Sequence, residues 1–135
     1  MAKYDNYKAQ LSVLHQAPEK DLSDEFIQNG IIEKFSLQFE LAWKLLQRVL
    51  RYDGRIESAG GSPRSIIKAA YSSYDFIDEG RWLSMLDARN EAMHVYNSEM
   101  ATDLVNAIIK DYIPAFDDLL ENLDKTYPAD VLETF

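Results

Sequence analysis

The chain contains no cysteine, only two histidines, five glycines and four prolines among its 135 residues. Without a thiol there is neither a disulfide nor thiolate chemistry, which suits a reducing compartment and predicts a cytoplasmic location. Two histidines with no cysteine make a poor transition-metal site, so no metal ligands are expected. Few glycines and prolines argue against a loop-rich or disordered chain, and 47% apolar against 27% charged residues reads as an ordered globular one. Long hydrophobic runs are missing too. The opening "MAKYDNYKAQ" is polar, and neither a leader nor a membrane-spanning helix is expected.

Positive charge is scarce overall, with a net charge of −9, and an acidic surface repels nonspecific nucleic acid. The cations are nevertheless gathered. Residues 44 to 89 hold eight Lys/Arg against six Asp/Glu, whereas the remainder holds six against seventeen. An anion would be met in that middle segment.

Helical periodicity runs almost throughout. Tyr4, Tyr7, Leu11 and Leu14 recur at three- and four-residue spacing over 3–16. After Pro18, Ser23 is placed to cap a long second helix with Asp24 and Glu25 in its first turn. The apolar positions of that helix run from Phe26 and Ile27 through Phe35, Phe39 and Leu46 to about residue 52. Gly30 sits inside it at a cost of roughly 1 kcal/mol relative to Ala. "YDG" closes it and "RIESAGGS" reads as a loop. Ser62 and Pro63 restart a helix as cap and first position. Trp82, Leu83, Leu86 and Met93, with Met85, supply the apolar side of the next. Asn97 or Ser98 can cap a last long helix, which Pro114 is placed to kink. No strand alternation is present. The expected fold is all-α: an antiparallel, up-and-down four-helix bundle with a short extra helix between the second and third main helices. We expect one domain over 1–135, with its core at about 3–125 and the tail 126–135 loosely held.

Several residue groups admit two readings. Lys44, Arg48, Arg51 and Arg55 follow one edge of the second helix, either as a solvated face or as an anion-facing rim. Phe35, Phe39 and Trp43 are spaced as core, and Glu40–Lys44 is an ordinary one-turn ion pair. His15, near the end of the first helix, reads as structural. "AGGS" lacks the Lys-Ser/Thr of a phosphate loop. In "RNEAMHVY", Arg89, Met93 and Tyr96 fall on one side of a regular helix, while His94 lies roughly 140° from Arg89. Helix termination near His94, or a second copy of the chain, could reunite them. Otherwise they are a capping histidine and a salt-bridged arginine.

The succession "FSLQFELAWKLLQRVL", "SPRSIIKAAY", "DEGRWLSMLDARNEAMHVY" and "YIPAFDDLLENL" resembles the nucleotidyltransferase substrate-binding protein family, of the HEPN superfamily of helical bundles, over roughly residues 26 to 124. The resemblance implies a homodimer that binds a minimal nucleotidyltransferase and binds or presents its nucleotide substrate. It implies no intrinsic cofactor, with ATP and magnesium on the partner. The longer Arg-x4-His-x-Tyr form, matched by Arg89, His94 and Tyr96, is similar to that of toxins in which Arg and His cleave RNA without metal and the tyrosine accepts AMP. Arg89 and His94 are then the candidate catalytic pair, and Tyr96 the candidate AMP acceptor. Asn90, Glu40, Trp43, Lys44, Arg64 and Trp82 become candidate cleft residues. The partners implied are the nucleotidyltransferase, a second copy and possible RNA, with no membrane.

Overall fold

The computed structural model describes residues 2–56, 61–95 and 97–135; the middle of the expected loop over 55–62 therefore lies outside the described residues. Every regular element among them is helical. In chain order they are α1 (Lys3–Leu14), α2 (Glu25–Tyr52), α3 (Pro63–Ser73), α4 (Glu79–Glu91), α5 (Ser98–Ala107), α6 (Ile113–Thr126) and the one-turn α7 (Ala129–Leu132). Short 3₁₀ turns cover Ala17–Glu19 and Ala92–His94.

Local chemistry sets the helix ends. Asp24, rather than Ser23, caps α2, its carboxylate accepting the N–H groups of Phe26 and Ile27 at 2.8 and 3.2 Å. Ser23 turns to Asp21 instead, and its two hydrogen bonds hold the Asp21 carboxyl below the usual range. Ser62 caps α3 in a reciprocal box with Ser65, with Pro63 in the first turn. Asn97 caps α5. At the far end of α2, Gly54 adopts φ +71°. The Gly54 N–H bonds to Arg51 O and the Arg55 N–H to Leu50 O, closing the helix in a Schellman turn that a side chain at position 54 would strain.

The 28-residue α2 is the spine: α1, α3, α4 and α5 all pack directly against it, α3 also lies on α4, and α6 lies on α1. Its stripe from Ile31 through Phe35, Phe39, Leu46 and Leu50 is buried as its period requires. Phe35 stacks on Tyr112 at 5.3 Å, and Trp82 sits between Phe39 and Phe116 at 6.4 and 6.0 Å, joining α2, α4 and α6. Two apolar positions of the sequence pattern depart from it. Phe26 is 87% exposed because it lies about 180° round α2 from Phe35, and Met93 is 88% exposed in the 3₁₀ turn that follows α4.

Buried polar groups thread the same elements. Gln38 donates to Tyr7 O at 3.0 Å, and the Tyr7 hydroxyl donates to Phe116 O at 2.6 Å. Pro114 acts one turn earlier than a simple kink. Residues Ile108–Tyr112 form a wider π turn in which the Ile113 N–H reaches back to Ile108 O. The extra residue in that turn makes room for a ring that would otherwise strike the carbonyl of Lys110.

The tail is docked rather than loose. Tyr127 and Leu132 are buried and Phe135 is 3% exposed, with the Phe135 ring edge-on to Tyr52 and Tyr127 at 5.4 and 5.2 Å. Lys3 N–H donates to Phe135 O and the Arg48 guanidinium to Thr134 O, so the tail ties the start of α1 to the end of α2. The expectation failed because two tail aromatics find an aromatic edge that only the folded chain assembles.

Three helix ends converge on Asp53, the C-cap of α2. Its Oδ2 accepts the hydroxyls of Tyr74, at 2.7 Å, and of Tyr127. A carboxylate beside a helix C-terminus is unfavourable, and the two phenols offset it. Asp53→Ala should lower the unfolding free energy by roughly 1–2 kcal/mol, the scale of hydrogen bonds to a charged group with partial exposure, as measured by denaturant titration.

Burial, aided by nearby carboxylates, raises the ionisation of Tyr4, Tyr7, Tyr74 and Tyr127 above the ordinary value of 10.0. Below that value the phenols are neutral in both states, and the stability is fully present. As the pH rises past it, the unfolded chain ionises first and stability is lost. Thermal melts should show a steep decline above about pH 10, and the decline should be shallower in Tyr74→Phe/Tyr127→Phe.

Candidate functional site

The polar cluster that the fold builds from distant segments lies midway along α2, where α4 crosses it. Glu40 and Lys44 stand one helical turn apart, with Lys44 Nζ 3.4 Å from Glu40 Oε1. The other carboxylate oxygen, Oε2, accepts from Arg89 Nη1 of α4 at 2.9 Å. One carboxylate thus holds two cations, and the trio keeps a formal charge of +1.

The Arg89 guanidinium also lies 5.5 Å from the centroid of the Phe39 ring, within cation–π range. Lys44 Nζ stands 5.9 Å from the Trp43 ring. The Arg89 side chain is 27% exposed and that of Glu40 34%, so the pair is partly buried. Two donors there have no acceptor among the described residues: Arg89 Nε and Trp43 Nε1, both buried. Such donors are costly to leave unmatched. The arrangement favours a ligand that brings oxygen acceptors and negative charge, because a guanidinium fork matches phosphate and carboxylate geometry.

Of the candidate residues, Glu40, Lys44 and Arg89 are brought together, and Trp43 adjoins Lys44. Of the other described candidates, Trp82 and Arg64 make their contacts elsewhere. Trp82 is 2% exposed and packed between Phe39 and Phe116, so it is a core residue and corrects the expectation of a cleft position. Arg64, exposed on α3, reaches Asp87 at 3.5 Å. Asn90 is exposed on the solvent side of α4. His94 is exposed at the end of the 3₁₀ turn that follows α4.

That turn does terminate the helix ahead of His94, as one route to reuniting it with Arg89 required. The winding runs the wrong way, however. A 3₁₀ turn advances each residue by about 120° rather than 100°, which carries the imidazole further round the axis from Arg89. The described partners of Arg89 are accordingly Glu40 and the Phe39 ring on α2. Tyr96 lies outside the described residues.

The basic edge of α2 divides. Lys44 belongs to the cluster, Arg48 holds the tail through Thr134 O, and Arg51 and Arg55 are exposed. His15 contacts Asp117 at 2.6 Å, a tie between α1 and α6 that agrees with its structural reading. Phe39 was legible only as core, since nothing in its spacing reveals the guanidinium against its ring.

The scaffold thus carries a half-buried, net-positive cluster with two unmatched donors. The chain belongs to the family described as nucleotidyltransferase substrate binding protein like, which it matches over residues 2–125. No curated protein matches it significantly. No helix among the described residues is long and apolar enough to cross a membrane.

If Glu40 positions Arg89, the two should be energetically coupled. A double-mutant cycle of Glu40→Gln and Arg89→Lys, read by chemical denaturation, should give a coupling of about 0.5–1.5 kcal/mol, smaller in high salt. A coupling indistinguishable from zero would mean that the contact does not hold the guanidinium.

Proposed function

We propose that this protein is the substrate-binding subunit of a nucleotidyltransferase, acting in trans. It holds the phosphate-bearing part of a nucleotide at the Glu40–Lys44–Arg89 cluster while a minimal nucleotidyltransferase supplies the ATP and magnesium chemistry. The observation that carries this reading is the pair of buried donors, Arg89 Nε and Trp43 Nε1, beside the net positive charge of the cluster. A phosphate oxygen would accept from Arg89 Nε, and Lys44 would balance the added charge. Glu40 keeps the guanidinium aimed without neutralising the site. Family membership supplies the partner class.

In this reading the fold is an up-and-down four-helix bundle of HEPN type. α1, α2, α4 and the continuous α5–α6 rod are its main helices and α3 the short extra one. The protein works in the cytoplasm as a homodimer, which buries about 1,600 Å² if its interface is of standard size. Of the apolar residues Trp82, Met85, Met93 and Tyr96, which together could face a second copy, Trp82 and Met85 are buried within the chain, Met93 is exposed and Tyr96 lies outside the described residues.

A second reading is favoured by the exposure of His94 at the end of the 3₁₀ turn that follows α4. An imidazole ordinarily titrates near neutrality and can take the proton from a ribose 2′-hydroxyl. The freed oxygen attacks the adjacent phosphorus to form a 2′,3′-cyclic phosphate, and the 5′-oxygen leaves, taking back the proton held on the imidazole. Arg89 steadies the charge on the phosphate. A two-fold dimer would set Arg89 of one chain against His94 of its partner. Tyr96, carrying AMP from the nucleotidyltransferase, would then block the cleft and silence cleavage.

Co-expression with a minimal nucleotidyltransferase should yield a stable complex. Calorimetry with ATP or AMP should show binding that Arg89→Ala weakens by roughly 10–100-fold, the loss of a charge-assisted hydrogen bond. Absence of both complex and heat would sink the substrate-binding reading.

For the ribonuclease reading, His94→Ala should reduce RNA cleavage by roughly 10²–10⁴-fold with little change in melting temperature. Tyr96→Phe should still cleave but resist silencing by the partner with ATP. AMP transfer to Tyr96→Phe would remove the tyrosine from that role.

A further inference from the structure

Where the last two turns of α2 meet the docked tail there is an open pocket of about 280 Å³, lined by Arg48, Arg51, Tyr52, Thr134 and Phe135. No Asp or Glu side chain is among them, in a chain whose net charge is −9. Arg48 and Arg51 are neighbours one turn apart on the same side of the helix. Among the described residues neither guanidinium takes part in an ion pair. Arg48 is nonetheless held in place, its Nη2 donating to Thr134 O at 2.6 Å. That carbonyl is neutral, so the bond orients the fork, uses one of its N–H groups and leaves its charge unbalanced. The Tyr52 ring is more than half exposed, and its hydroxyl has no hydrogen-bond partner among the described residues.

We propose that this pocket is a second anion site, which takes a dianionic phosphate group, free or carried on a small molecule. Two guanidinium forks and a hydroxyl offer more donors than the two oxygens of a carboxylate can use. A phosphate monoester presents three acceptor oxygens and about −2 charge, which balances the two cations. Cations near a helix C-terminus are favourable by themselves, and that accounts for Arg51 and Arg55 as surface residues. It gives no reason for a tethered Arg48 and an unpaired Arg51 to line one pocket free of Asp and Glu side chains.

One wall of the pocket comes from α2 and the other from the tail, so it exists only while the tail is docked. Phosphate bound there favours the docked state by mass action. The site does not rest on the nucleotide-binding reading. Arg48 and Arg51 lie beyond the Glu40–Lys44–Arg89 cluster, roughly 12–17 Å along α2 from Glu40 at 1.5 Å per residue.

An isotope-edited NMR titration of the full chain with glucose 6-phosphate, at constant ionic strength, tests the proposal residue by residue. The side-chain Nε–H signals of Arg48 and Arg51 and the Thr134 amide should follow one saturable curve, and glucose alone should move none of them. Arg51→Gln should weaken binding by roughly 10–100-fold, the loss of charge-assisted hydrogen bonds. Its melting temperature without ligand should match the wild type, since Arg51 makes no ion pair within the described chain. Arg48→Lys, which keeps the charge but not the fork, should weaken binding as well. Inorganic phosphate in place of the ester identifies the source. Binding at least as tight assigns the pocket to free phosphate, and tighter binding of the ester assigns it to a phosphorylated small molecule. Shifts that grow linearly without saturating, or a curve that Arg51→Gln leaves unchanged, would overturn the proposal. The Lys44 and Arg89 signals report the cluster separately, so either site can fail without the other.

Discussion

Burial of one long amphipathic stripe governs this molecule. The 28 residues of α2 extend about 42 Å at 1.5 Å per residue, too far for any single neighbour to cover. The apolar side from Ile31 to Leu50 is hidden only because α1, α3, α4 and α5 each cover a part of it. Phe26, in the first turn, lies about 180° round the helix from Phe35 and is therefore left exposed on the side away from that stripe. At the opposite end the docked tail sets the Tyr127 and Phe135 rings edge-on to Tyr52, which stays 56% exposed.

The polar features follow from the same helix. A residue on the flank of α2 is half-buried by whichever helix crosses there, and α4 crosses at Glu40. The contact turns a routine one-turn Glu–Lys pair into a bridge to a guanidinium from a segment 49 residues away. Exposed ion pairs contribute about 0–1 kcal/mol, so this bridge is a minor term in stability. Its consequence lies in direction. It fixes where the Arg89 fork points and leaves Nε and the neighbouring indole N–H without acceptors.

Asp53 shows how the ends of helices are joined when the core cannot join them. Three C-termini, those of α2, α3 and α6, meet at one carboxylate through Tyr74 and Tyr127. A carboxylate in that position is electrostatically awkward, and the phenols that relieve it are themselves made harder to ionise. Local propensity would not have chosen Asp there. The tertiary arrangement makes it useful.

The residues themselves determine the helices. Periodicity marked α1, α2 and the α5–α6 rod, and the chemistry of Ser62, Pro63, Asn97 and Gly54 marked their ends, because caps and turns act within a few residues. The ordered motifs also determined the family, since a succession of short patterns identifies a lineage without any coordinates. What lay beyond the sequence is whatever depends on residues far apart. Trp82 reads the same on paper whether it lines a cleft or fills a core, and only packing against Phe39 and Phe116 decided for the core. Arg89 and His94 are neighbours in the motif, yet Arg89 lies in α4 against Glu40 and His94 in the exposed 3₁₀ turn that follows. The loose reading of the tail failed for the same reason, because Tyr52, Tyr127 and Phe135 form an edge only after α2 and α6 have met. Local interactions are written in adjacent residues, whereas a site or a docked segment exists only where the chain has brought remote surfaces within contact distance.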